Sequence, residues 1–147
     1  MNKIIWPILA FLSGAVLPIQ AALNARLGKG LESPIYASLI SFLVGALAII
    51  AYVLLSGQQA SFANAKTIPA EAWLGGILGA FYVTAIVFAF PRIGPALTFG
   101  LVVSGQMVIS VLLDHFNILV ASPHPINIWR IAGVGLIVAG VILVRKF

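Results

Sequence analysis

Five nearly continuous apolar stretches divide this chain, each about as long as the roughly 20 helical residues that cross a hydrocarbon core. They fall at about 4–23, 34–55, 72–90, 95–114 and 128–144. Water is absent inside a bilayer, so a spanning segment must satisfy its own backbone N–H and C=O groups, which an α-helix does internally. The expectation is an all-α integral membrane protein with five transmembrane helices, in one transmembrane domain over 1–147. With 62% hydrophobic and 7% charged residues, the composition lies far outside the soluble range.

The connections carry helix-boundary chemistry. "NARLGKGLES" has glycines at a helix end, and Ser33-Pro34 supplies a cap and a first-turn proline. "SGQQASFANAKTIPAEA" reads as a polar loop with a restart led by Pro69, and "PRIGP" as a tight turn. "HFNILVASPHPIN" reads as an interfacial loop ending at Asn127, which can cap the fifth helix. Trp6, Trp73 and Trp129 all fall close to expected helix starts, where an indole sits at headgroup depth with its N–H wet.

Composition also removes function classes. There is no cysteine, and Glu32, Glu71 and Asp114 are the only acids beside two histidines. No cluster has metal-ligand spacing and no carboxylate pair exists for acid–base work, so neither a metal, a cofactor nor an enzyme is expected. Asp114 and His115 are adjacent, diverge on a helix and have no nucleophile beside them. The net charge of +5 comes from basic residues placed singly at the ends of apolar runs, so nucleic acid is not an expected partner. Membrane lipids are.

An odd number of spans puts the chain ends on opposite sides. Lys3, Lys66 and Arg130 then lie with the amino terminus, against Arg26, Lys29, Arg92, Arg145 and Lys146 on the other side. Insertion orientation follows the difference in Lys and Arg between sides. So small a difference is compatible with both orientations, and equally with a plain cytoplasmic carboxyl terminus.

Polar residues within the spans are the candidate functional groups. Residues four apart on a helix drift by only about 40° per step, so Gln106, Ser110 and Asp114 form one stripe on the fourth helix. Ser13, Gln20 and Asn24 form another on the first. With Ser41 and Tyr82 near mid-depth, these are candidates for a lined substrate cavity, since an unpaired amide in hydrocarbon costs several kcal/mol. Any one of them also fits plain interhelical glue. Asp114 lies roughly 28 Å along its helix from Pro95, near the interface, at a carboxyl end whose dipole disfavours a carboxylate. It therefore calls for a partner among His115, Arg130 or another chain, and is the candidate gate or coupling residue. Gly14 and Pro18 loosen the first helix and are the candidate hinge. Small pairs four apart, Gly75 with Gly79, Ser41 with Gly45, Gly100 with Ser104 and Gly135 with Ala139, allow close helix packing.

"LPIQAALNARLG", "SPIYASLISFLVGAL", "GGILGAFYV", "PRIGPALTFGLVVSGQ", "LLDHF" and "RIAGVGLIVAGVIL" together resemble the small five-helix YdcZ-like branch of the drug/metabolite transporter superfamily. The resemblance runs through nearly the whole chain in order; the family pattern has Gly after Asp-His-Phe where this chain has Asn117. It implies that the chain is half of a ten-helix inverted-repeat transporter of the inner membrane. Its partner would be a second, antiparallel copy of itself or an oppositely oriented paralogue. The function implied is a secondary exporter of an unidentified small molecule by alternating access, with dual topology. Related small multidrug exporters hold organic cations with a glutamate on the first helix, and this chain has no acid there, so a lipophilic cation is not expected as the main substrate. A non-transporting structural or assembly protein, or a channel, also fits a polar-striped bundle, although no filter-like segment is present.

Overall fold

The structure is a computed structural model that describes residues 4–120 and 124–147. Lys3 and the centre of the expected interfacial loop, 121–123, lie outside the described residues. Among the described residues are five helices long and apolar enough to span a membrane: α1 (Ile5–Gly30), α2 (Pro34–Ser56), α3 (Gly75–Ile93), α4 (Pro95–Phe116) and α5 (Ile128–Lys146). Two short 3₁₀ turns, Ala65–Thr67 and Ala70–Leu74, precede α3. The described chain is all-helical apart from its loops.

The boundaries follow from local chemistry, with three differences from expectation. α1 runs seven residues beyond position 23 because its stop signal lies at Glu32, not at the polar Asn24. Glu32 takes φ 53°, its N–H reaches the Lys29 carbonyl at 3.3 Å, and Ser33 N–H reaches the Gly28 carbonyl at 2.9 Å. This αL closure absorbs the last carbonyls of the helix. At 26 residues and 1.5 Å rise, α1 is about 39 Å long, more than a roughly 30 Å core requires. Ser33 then caps α2 by accepting from Tyr36 N–H at 3.4 Å, with Pro34 at the first helical position.

The restart after Pro69 is a 3₁₀ turn holding Trp73, and α-helical bonding begins at Gly75 rather than at 72. "PRIGP" is not a turn throughout. α3 continues through Pro91 and Arg92 to Ile93, and Gly94 alone, at φ 80°, makes the break before Pro95 opens α4. A proline near a carboxyl end removes only one ladder bond, and the positive φ that ends the helix suits glycine. Asn127 caps α5, accepting from Arg130 N–H at 2.9 Å.

The chain separates into two compact units, Met1–Arg92 and Ile93–Phe147. In the first, α1 packs on α2, and glycine allows the closest approach. A Cβ at Gly28 would lie 3.3 Å from the Pro34 Cα and 3.6 Å from a Val87 methyl, so α1, the start of α2 and α3 converge there. Gly79 faces the Phe42 ring. Ala21, Asn24, Ala37, Ser38, Ile86 and Val87 are buried. In the second unit, α4 packs on α5, and a Cβ at Gly100 would meet Val141 at 2.8 Å. Of the small residues expected at helix contacts, Gly79 and Gly100 touch a neighbouring helix, whereas Gly45, Gly75 and Gly135 have open space around them. Gly28, which no small-residue pair singled out, is among the tightest points.

Candidate functional site

The polar groups of the first unit gather where α1 faces α3. Leu17, Gln20, Ala21 and Asn24 follow one another at helical spacing on α1, and Tyr82, Val83, Ile86 and Val87 do so on α3. The two faces line a partly open cavity with about 10 Å³ of room, close to what one water needs. Asn24 is 7% exposed, and neither its Nδ2 nor the Tyr82 hydroxyl has a hydrogen-bond partner among the described residues. Almost every buried polar atom in a folded protein is paired, and leaving one unpaired costs about 1–3 kcal/mol. Two such atoms on one cavity are therefore unusual.

A wider groove opens on the other flank of the same α1 segment. It has about 320 Å³ between Val16, Ile19, Gln20, Leu23, Asn24 and Leu27 of α1 and Ile40, Ser41 and Val44 of α2. Gln20 and Asn24 line both spaces and so form the wall between them. Among the described residues, no Asp, Glu, Lys, Arg or His lines either one.

Other candidates are placed differently. Ser13 is exposed, and its hydroxyl donates to the Ala10 carbonyl of its own helix at 2.8 Å, away from the cavity. A hydroxyl at this spacing finds an acceptor one turn back, which explains why Ser38, Thr98 and Ser104 are also satisfied within their helices. α1 runs unbroken through Gly14 and Pro18, the candidate hinge, half a turn before Gln20. In the second unit, Gln106 and Ser110 are exposed on α4.

Asp114 has a partner, Arg130. The guanidinium in the first turn of α5 pairs with Asp114 Oδ2 and also donates to the His124 carbonyl. The two side chains are 24% and 26% exposed. Next to them, His115 Nδ1 accepts from the Ile126 N–H at 3.2 Å, so that ring nitrogen carries no proton while the bond is made. Asp114, His124, Pro125, Asn127 and Arg130 surround an open crevice of about 420 Å³. Sequence reasoning missed the His124 carbonyl as a second tie for Arg130, since a backbone acceptor leaves no residue-type signal.

The chain matches, over residues 5–143, the family described as "Putative inner membrane exporter, YdcZ". It is 27% identical over 114 residues to the inner membrane protein YdcZ of Escherichia coli (strain K12), a match covering 74% of this chain and 75% of that protein. No solved structure matches it.

Proposed function

The chain belongs to the YdcZ family, a multi-pass family of the inner membrane, and from that premise we propose that it is a secondary exporter of small molecules. It works by alternating access as an antiparallel dimer of two oppositely inserted copies, the dimer making up ten helices as two inverted five-helix repeats. The observation that carries this reading is the unpaired Asn24 Nδ2 and Tyr82 hydroxyl on one cavity beside Gln20. Polar groups that served only to hold helices together would be paired with one another. Groups that bind a passing molecule need donors and acceptors that the bundle does not consume.

Three further features fit. Gln106 and Ser110 are exposed on a helix at membrane depth, where lipid is a poor neighbour for an amide and a second copy or a wet cavity is a better one. The open glycines at positions 45, 75 and 135 leave room for a close helix from outside the chain. Gly14 and Pro18 place a weakened turn beside the Gln20–Asn24 wall, where a hinge would open and close it. Asp114 with Arg130 is the gate in this reading, an ion pair at the helix end that breaks and re-forms between states.

The test uses the cysteine-free background. A single Gln20→Cys is treated with a charged, membrane-impermeant thiol reagent in right-side-out and everted vesicles. Alternating access predicts reaction from water on both sides. No reaction from either side would mean that Gln20 is sealed in the bundle and the polar residues are packing groups.

A further inference from the structure

The walls of the cavity and groove bear on what such an exporter would carry, an inference that rests on the reading just given. Both spaces share Gln20 and Asn24, and neither is lined by an acid, a base or a histidine. A charged ligand there would lose its hydration with no counter-charge to replace it, at a cost of several kcal/mol per ion. An uncharged one loses only hydrogen bonds, which unpaired groups can restore. Asn24 Nδ2 can only donate, and the Tyr82 hydroxyl can donate or accept. The complement is an acceptor oxygen.

Size and polarity say how such a molecule would lie. The cavity between α1 and α3 has room for about one water-sized group, so it accommodates an oxygen and little else. The groove between α1 and α2, at about 320 Å³, is in the range of small-ligand pockets and is walled mainly by Val, Ile and Leu. Gln20 lines both spaces, and its side chain is exposed. Because Asn24 Nδ2 and the Tyr82 hydroxyl are already buried within the chain, a second copy docking from outside does not reach them. Only a group inside the cavity can.

We infer that the Gln20–Asn24–Tyr82 site binds uncharged small molecules through an acceptor oxygen hydrogen-bonded by Asn24 Nδ2 and Tyr82. The charge-free lining discriminates against cations and anions of the same size and shape.

The test reads the proposed atom directly. Full-length protein carrying ¹⁵N-asparagine is studied by NMR in micelles, with the Asn24 side-chain amide assigned by its loss in Asn24→Leu. It is titrated separately with N-butylacetamide, n-butylammonium and butyrate, three chains of similar length with different ends. The expected result is a saturable downfield shift of the Asn24 amide protons with N-butylacetamide alone. Tyr82→Phe should weaken that binding about tenfold, the equivalent of one hydrogen bond. An Asn24 amide indifferent to N-butylacetamide, an equal or stronger response to either ion, or a Tyr82→Phe chain that binds as well as the parent would each overturn the assignment. Binding at equilibrium requires no transport. A chain that binds N-butylacetamide at Asn24 but moves nothing across a vesicle membrane would therefore keep this site and remove the exporter reading, and flux of an ion unaffected by Asn24→Leu would do the reverse.

Discussion

Asn24 on α1 and Tyr82 on α3 wall the same cavity, and each has a buried polar atom that no described residue pairs. The family to which the chain belongs is described as "Putative inner membrane exporter, YdcZ", and unpaired buried groups of this kind are rare in folded proteins. The relationship also separates stability from function.

Removing an unpaired buried polar atom loses no hydrogen bond and relieves its desolvation. Asn24→Leu and Tyr82→Phe are therefore expected to leave the thermal midpoint of the purified protein unchanged or raised, by up to about 1–3 kcal/mol in stability. Thermal unfolding of both variants in nanodiscs checks this. A fall in stability of that size would mean that both atoms are paired in the folded protein and act as glue.

The site was partly legible in the sequence. The four-residue spacing of Gln20 and Asn24 placed both on one face of α1, and the structure has both on the same cavity. Ser13 shares that stripe by sequence, yet its hydroxyl bonds to the Ala10 carbonyl, because a serine can satisfy itself within its own helix and a longer amide does not. Tyr82 was visible as a polar group near mid-depth, but its place opposite α1 depends on the convergence at Gly28 and Val87. That close approach is set by the absence of a side chain, and periodicity carries no record of it. Helix existence was likewise plain from hydropathy, whereas the ends of α1 and α3 were set by single positive-φ residues, Glu32 and Gly94.

Asn117 ends α4 in a backbone conformation that favours glycine. It occupies the αL position that closes α4, at φ 53°, with Ile118 N–H reaching the Leu113 carbonyl at 2.9 Å. Asparagine tolerates this region better than most side chains, and glycine best. Asn117→Gly should be neutral or stabilising, and Asn117→Val destabilising by about 1–2 kcal/mol. Limited proteolysis of the segment after α4, together with thermal unfolding, distinguishes the two.

The ion pair between Asp114 and Arg130 joins the end of α4 to the start of α5. Both side chains retain about a quarter of their exposure, which keeps the pair weak, so a double-mutant cycle with Asp114→Asn and Arg130→Gln should give a coupling of about 1 kcal/mol or less in stability. If the pair is a gate, the same single substitutions change transport by far more than they change unfolding. Equal, small effects on both would make it a structural clasp only.

Gly100 is a packing constraint on α4 and α5. A methyl added there would meet Val141 at 2.8 Å, so Gly100→Ala should cost about 1–3 kcal/mol by forcing the helices apart. Val141→Ala in the same chain should restore much of the loss, which thermal unfolding of the single and double variants would show.

In the proposed function, two oppositely inserted copies of this five-helix chain make one transporter. Single cysteines placed after Phe147 and at Asn64 lie beyond spans that an odd helix count puts on opposite sides of the membrane, in a chain that has no cysteine of its own. Intact and opened cells are labelled with an impermeant thiol reagent, and the accessible fraction at each site is measured. An antiparallel dimer predicts that each site is partly labelled in intact cells and fully labelled once they are opened. One site fully accessible and the other fully protected would show a single orientation and contradict the antiparallel homodimer.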